Sequence, residues 1–176
     1  MNLPNTLTIM RIILIPIFMF VFLTGIPYGD FIATGVFILA AITDSLDGYL
    51  ARKWNQITKL GIILDPLADK MLITAALISL VQLGRLPGWI AVIIIVREFA
   101  VTGLRSVKAE EGIIIPASNS GKIKTVTQII AIILLISESI YKPYLDIQIG
   151  MWVMYLAVFI TIVSGLEYFY KYKSTE

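Results

Sequence analysis

Two predominantly apolar runs near the ends of this chain, Ile12–Leu23 and Ile149–Leu166, constrain its fold more than any other feature. Hydrophobic residues make up 58% of the sequence, whereas a soluble domain is typically about 45–50% apolar. An apolar run of about 18 residues or more is typical of a helix that spans a membrane, and Ile149–Leu166 reaches this length. The sequence therefore predicts an all-α integral membrane protein.

Glycine and proline residues divide the chain into segments of helical length. Pro4 suits the first turn of a helix, so the segment Leu3–Leu7 could form a short interfacial helix at the N-terminus. We expect one membrane domain, residues 1–176, with six transmembrane helices. Their expected bounds are residues 9–25, 30–53, 60–82, 87–108, 119–141 and 147–171.

The basic residues are concentrated on one side of this predicted topology. Six crossings put both termini on the same side as the connections between helices 2 and 3 and between helices 4 and 5. By the positive-inside rule this side is cytoplasmic, so we expect a multi-pass protein of the cell membrane with both termini in the cytoplasm. The basic residues expected there are Arg11, Arg52, Lys53, Lys59, Lys70, Arg97, Arg105, Lys108, Lys122, Lys124, Lys171 and Lys173, which leaves Arg85 and Lys142 on the other side.

The sequence contains neither cysteine nor histidine. This composition excludes disulfides, thiolate metal sites and a histidine base. Acid–base chemistry would have to use carboxylates, lysine, tyrosine or a group bound to a metal.

Four aspartates stand at helical spacings in the middle of this apolar chain. Asp44 and Asp47 share one face of a predicted helix, and Asp65 and Asp69 share one face of the next. A single aspartate near a helix end would more simply cap the helix or face water. Four at these spacings favour a functional site, because ionisable residues at membrane depth are costly. Converging carboxylates suit a hard divalent cation, and a phosphate is the leading candidate for the group that this cation would serve.

The segment from Asp44 to Asp69 matches the pattern D-x2-D-G-x2-A-R-x8-G-x3-D-x3-D at every specified position. In this respect the chain resembles the CDP-alcohol phosphatidyltransferases. Four further segments resemble the bacterial branch that makes phosphatidylglycerophosphate, so the resemblance covers nearly the whole chain. These segments are L-P-N-T-L-T-I-M-R at 3–11, D-P-L-A-D-K at 65–70, R-E-F-A-V-T-G-L-R at 97–105 and S-G-K-I-K-T-V-T-Q at 120–128.

The resemblance implies transfer of a phosphatidyl group from CDP-diacylglycerol to sn-glycerol 3-phosphate, with CMP as the second product. It implies two divalent ions, Mg²⁺ or Mn²⁺, and a general base, Asp69. It also implies a cytoplasmic active site and a homodimer in the lipid bilayer, with no nucleic-acid partner. The implied metal ligands are Asp44, Asp47, Asp65 and Asp69, and the implied CDP-diacylglycerol residues are Asp44, Gly48, Ala51, Arg52 and Gly61.

The acceptor phosphate needs cations of its own. Arg97 and Arg105 are favoured, because guanidinium forks bind phosphate and the two residues lie on roughly the same helix face. Glu98 adjoins Arg97 without facing it on a helix, so we expect it to pair elsewhere. Arg11, Lys59 and Lys122 are equally compatible with binding phosphate and with being ordinary cytoplasmic charges. For Lys124, Lys171 and Lys173, the interpretation as ordinary cytoplasmic charges is favoured. Tyr168 is expected to anchor the chain at the membrane interface.

Other functions remain open at this stage. A cardiolipin or phosphatidylserine synthase would share parts of the flanking segments. An intramembrane prenyltransferase also binds diphosphate through aspartate-rich helices, but its motifs lack the A-R-x8-G connection. An ion transporter would favour a site at the membrane midplane and internal repeats, and no repeat is visible in this sequence.

Overall fold

The computed structural model describes residues 3–53, 59–113, 115–116, 118–145 and 147–173. The side chains of residues 3–5, 44–53, 59–63, 65–66, 119 and 172–173 lie outside this description. All regular structure within the described ranges is α-helical. The helices are α1 Leu3–Leu23, α2 Gly29–Lys53, α3 Lys59–Gln82, α4 Gly88–Glu110, α5 Asn119–Ile136, α6 Glu138–Tyr141 and α7 Ile149–Lys173.

The six long helices agree with the six predicted segments, with two differences. The N-terminal segment is continuous with the first long helix, because α1 already begins at Leu3. The fifth predicted helix is divided at Ser137, where the backbone leaves the helical conformation with φ −84° and ψ 8°. The Ser137 hydroxyl donates to the carbonyl oxygen of Ile133 at 2.8 Å, and such bonds from serine to the preceding turn compete with the regular helix.

One hydrophobic core joins all six long helices. Each of them contributes a large side chain with no solvent exposure, so the helices form a single bundle. These side chains are Phe18 of α1, Phe37 of α2, Leu77 of α3, Ile90 of α4, Ile132 of α5 and Met154 of α7.

The outer surface of the bundle is also apolar. Phe20, Phe31, Val92, Trp152 and Phe159 are all more than half exposed. Exposed apolar surface of this extent marks contact with a membrane or a partner. Among the described residues, the segments Thr6–Leu23 and Ile149–Lys171 are long and apolar enough to cross a membrane, and a shorter apolar segment spans Gly29–Thr43.

A polar cluster ties the helices together at the end of the bundle that holds the α3–α4 connection. The Arg85 guanidinium forms an ion pair with Asp30 at 2.7 Å. It also donates to the carbonyl oxygen of Ile136 at 2.9 Å and lies 5.2 Å from the ring centre of Phe22. Ser139 donates to the same carboxylate. Arg85 thus connects the end of α1, the start of α2 and the end of α5.

Candidate active site

The aspartate motif lies at the junction of α2 and α3. Asp44 and Asp47 fall in the last turns of α2, and Asp65 and Asp69 fall in the first half of α3. The two helices are consecutive and in contact. The side-chain environments outside the described residues are those of Lys59, a predicted ligand of the acceptor phosphate, and of the motif residues Asp44, Asp47, Gly48, Ala51, Arg52, Gly61 and Asp65. Asp69 is therefore the motif aspartate whose side-chain surroundings the structure describes.

Asp69 borders a narrow cavity between three helices. α3 contributes Asp69, Lys70 and Ile73 to its wall, α4 contributes Glu98, and α5 contributes Lys124, Thr125 and Gln128. Asp69 and Ile73 are one helical turn apart, as are Lys124 and Gln128, so each helix presents one face to the cavity. The cavity thus joins a motif carboxylate to charged residues that are distant in the sequence.

Lys124 is the most deeply buried cation at this cavity. Its exposed fraction is 3%, and its Nζ forms an ion pair with Oε1 of Glu98. The interpretation of Lys124 as an ordinary cytoplasmic charge was therefore wrong. A signal was present in the sequence, because Lys124 and Gln128 continue the helical stripe formed by the buried residues Ala131, Ile132 and Leu135.

Glu98 connects Lys124 with Arg97. Its carboxylate pairs with Lys124, and Oε1 also lies 3.7 Å from a guanidinium nitrogen of Arg97. The expectation that Glu98 pairs with a residue elsewhere in the chain is confirmed, whereas the expectation that it does not face Arg97 was wrong, because these two side chains also form an ion pair. Glu98 and Lys124 thus line the cavity together with Asp69, and Arg97 is joined to this group through Glu98.

Arg97 is held by α7. Its guanidinium donates to the Ser164 hydroxyl at 2.8 Å and lies 5.9 Å from the ring centre of Tyr168. Gly165 permits this approach, because a Cβ atom there would lie 3.1 Å from Cγ of Arg97. The close packing of α4 against α7 thus fixes the orientation of the guanidinium.

Tyr168 is a buried structural residue rather than the interfacial anchor that was expected. Only 6% of it is exposed. Its hydroxyl accepts from the backbone N–H of Ser118 at 2.8 Å and donates to the carbonyl oxygen of Pro116 at 3.3 Å. The Ser118 hydroxyl accepts from the N–H of Gly121 at 3.0 Å and caps α5. Tyr168 therefore fixes the start of α5, the helix that carries Lys124.

The other predicted phosphate ligands occupy different surroundings. Arg105 is exposed on α4, within electrostatic range of the Tyr168 hydroxyl. Lys122 is exposed near the start of α5. Arg11 is fully buried, and its Nε donates to the carbonyl oxygen of Ala40 at 3.3 Å, in the contact between α1 and α2. Among the predicted ligands with described side chains, Arg97 contacts a residue of the cavity wall, Glu98.

Comparison with known proteins identifies the family. The sequence model of the CDP-alcohol phosphatidyltransferases matches residues 1–163. The chain belongs to the CDP-alcohol phosphatidyltransferase family. The resemblance drawn from the aspartate motif is thereby confirmed, and membership of this family together with the apolar helices identifies a membrane protein.

Several relatives of this CDP-alcohol phosphatidyltransferase share one name. A protein of Bacillus subtilis is 46% identical over 182 residues, covering 97% of this chain and 94% of the relative. Another, of Haemophilus influenzae, is 42% identical over 172 residues, covering 95% of this chain and 91% of the relative. A third, of Rickettsia bellii, is 39% identical over 170 residues, covering 96% of this chain and 93% of the relative. Each is named CDP-diacylglycerol–glycerol-3-phosphate 3-phosphatidyltransferase.

The residues of this family member fit a divalent cation by their chemistry. The side chains that the structure describes contain no group of three or more possible ligands, and three of the four motif aspartates lie outside that set. The backbone nevertheless carries the four aspartates on the adjoining ends of two helices in contact. Carboxylate oxygens are the donors that Mg²⁺ and Mn²⁺ prefer.

Proposed function

We propose that the chain transfers the phosphatidyl group of CDP-diacylglycerol to sn-glycerol 3-phosphate, giving phosphatidylglycerophosphate and CMP. The observation that carries this proposal is the similarity, over nearly the whole of both chains, to relatives whose shared name states this reaction. The cavity beside Asp69 supports it independently, because the cavity combines carboxylates with Lys70 and the buried Lys124.

The cations favour an acceptor that carries a phosphate. Lys124 lies in the cavity wall, and Arg97 is joined to it through Glu98. A guanidinium can give two parallel hydrogen bonds to a phosphate, whereas an ammonium acts as a compact point charge. We assign Arg97 and Lys124 to the acceptor phosphate, with Arg105 as a third cation on the same side of α4.

Asp44, Asp47, Asp65 and Asp69 would hold the divalent ions, two of them in the full site. When bound, such ions neutralise the charge of the diphosphate and of the departing CMP. Gly48, Ala51, Gly61 and Arg52 would contact the nucleotide.

Asp69 is the proposed general base. The C1 hydroxyl oxygen of glycerol 3-phosphate attacks the phosphorus next to the diacylglycerol, and its proton passes to a carboxylate oxygen of Asp69. The bond from this phosphorus to the bridging oxygen breaks, and CMP leaves with the electron pair. Without histidine or cysteine in the sequence, a carboxylate is the natural proton acceptor.

We further propose that the six long helices all cross the membrane, with the active site and both termini in the cytoplasm, and that two copies form a homodimer. The concentration of basic residues on one predicted side supports this orientation. The acyl chains of the donor would then remain in the bilayer while its headgroup reaches Asp69.

The acceptor is tested with the full-length protein in lipid nanodiscs containing CDP-diacylglycerol. CMP release should depend on glycerol 3-phosphate and on Mg²⁺ or Mn²⁺, and chelation by EDTA should stop it reversibly. Release of CMP with L-serine or with phosphatidylglycerol, and not with glycerol 3-phosphate, would instead identify a phosphatidylserine or cardiolipin synthase.

Asp69→Asn tests the base. Loss of a general base should lower kcat about 10²–10⁴-fold while the affinity for CDP-diacylglycerol changes little. Glu110→Gln, an equivalent change at an exposed residue near the end of α4, should leave kcat unaltered. Recovery of the Asp69→Asn rate at high metal concentration would show that Asp69 is chiefly a metal ligand, and the base assignment would then fail.

A further inference from the structure

Gln128 is a buried polar residue whose side chain has no hydrogen-bond partner within the described part of the chain. Its exposed fraction is 1%, and neither Nε2 nor Oε1 has a partner among the described residues. Buried amide groups in folded proteins are almost always hydrogen-bonded, so an exception needs an explanation. In this case the unpaired carboxamide belongs to the wall of the cavity beside Asp69.

The position of Gln128 relates it to the other groups at the cavity. It lies one helical turn beyond Lys124 on α5, while Asp69 and Ile73 line the cavity from α3. The volume open to a group the size of water is about 20 Å³, which is enough for one such group. The cavity thus has room for one hydroxyl next to the carboxamide.

A carboxamide and a hydroxyl complement each other chemically. Nε2 of glutamine donates hydrogen bonds and Oε1 accepts them, while a hydroxyl does both. Glycerol 3-phosphate carries three polar groups. The proposed function uses its C1 hydroxyl at Asp69 and its phosphate at Arg97 and Lys124, so only the C2 hydroxyl is without a protein partner.

We propose that Gln128 is a specificity-determining residue that binds the C2 hydroxyl of the acceptor. This inference rests on the proposed function, because it assigns the one acceptor group that the proposed function does not use. A site that hydrogen-bonds a substrate hydroxyl discriminates against an analogue without it, since its own polar group then stays buried and unpaired. Gln128 would therefore select a vicinal diol phosphate over a simple hydroxyalkyl phosphate.

The experiment compares kcat/KM for glycerol 3-phosphate with kcat/KM for 3-hydroxypropyl phosphate, which lacks only the C2 hydroxyl. The wild-type protein should prefer glycerol 3-phosphate on the order of ten- to a hundredfold. In Gln128→Leu and Gln128→Met the ratio should fall towards one, mainly because turnover of glycerol 3-phosphate decreases. Both acceptors are measured on one preparation, so the ratio does not depend on how much of the variant is folded.

Thr127→Val provides the matched control on the same helix. The Thr127 hydroxyl donates to the carbonyl oxygen of Ile123 in its own helix at 2.9 Å, so this variant should keep the wild-type ratio. A wild-type ratio near one would overturn the inference, and so would variants that keep the wild-type ratio, as expected if Gln128 merely holds a water molecule. Loss of activity with both acceptors in both variants would assign Gln128 to the fold and would also overturn it.

Failure of the proposed function is a separate result. A wild-type protein that releases no CMP with glycerol 3-phosphate would refute the proposed reaction itself. A wild-type protein that is active with glycerol 3-phosphate but does not discriminate between the two acceptors would refute only the role of Gln128.

Discussion

The ion pair between Glu98 and Lys124 offers the sharpest test of the structure around the cavity. Glu98→Gln and Lys124→Met each remove one charge and leave the other buried. The side chain of Lys124 is 4% exposed and that of Glu98 is 20% exposed, so water can compensate for little of the loss. Removing one partner of a buried pair costs about 3–5 kcal/mol of unfolding free energy.

Neighbouring charges should reduce that cost. After Lys124→Met, the guanidinium of Arg97 remains 3.7 Å from Glu98. After Glu98→Gln, Lys124 still lies at the same cavity as Asp69. We therefore expect each single variant to lose somewhat less unfolding free energy than the about 3–5 kcal/mol of a fully buried pair. The double variant removes both buried charges and should lose less than the sum of the two single variants, with a coupling energy of roughly 0.5–3 kcal/mol.

The measurement is a double-mutant cycle of unfolding free energies in detergent micelles. The pair of Lys108 and Glu111 serves as the control, since its nitrogen and oxygen are 2.8 Å apart and water reaches it from one partner, with the Lys108 side chain 11% exposed and the Glu111 side chain 48% exposed. Coupling in this partly exposed pair should stay below about 1 kcal/mol, because water can solvate the Glu111 carboxylate. Additive losses at Glu98 and Lys124, within about 0.3 kcal/mol, would refute the claim that the two charges depend on each other.

Two further predictions concern Arg97, near the middle of α4, and the cluster around Arg85. Arg97→Lys keeps the charge but loses the forked geometry, so the KM for glycerol 3-phosphate should rise roughly ten- to a hundredfold, from the 1.5–3 kcal/mol of a charge-assisted hydrogen bond. Steady-state kinetics should show a smaller change in the KM for CDP-diacylglycerol, and equal changes for both substrates would contradict the assignment. Arg85→Met should lower the unfolding free energy by about 1–3 kcal/mol, because it leaves Asp30 without its ion pair. Both KM values should stay unchanged below the unfolding temperature, and a selective rise in either would show that this cluster also acts on the active site.

The local sequence was sufficient to predict the six long helices and to identify the family. Glycine and proline stand in the connections that follow α1, α3 and α4, where they disfavour a continued helix whatever the helices pack against, although Pro16 lies inside α1. The motif from Asp44 to Asp69 is a local pattern of spacings along two consecutive helices, so it could be read without knowing how those helices pack. The division of the fifth helix at Ser137 was missed, since a serine hydroxyl can either face outward or bond to the preceding turn.

Tertiary packing decided which polar residues share the cavity with Asp69. In a bundle that is apolar on both its inner and its outer surface, hydrophobic periodicity distinguishes poorly between the face that meets lipid and the face that meets another helix. Lys122 and Lys124 look alike in the sequence, yet one is exposed and the other is buried against Glu98. The ion pair of Lys124 and the place of Gln128 in the cavity wall depend on residues from α3 and α4. Contacts between such distant segments exist only once the helices have packed, because spacing along one helix describes only that helix.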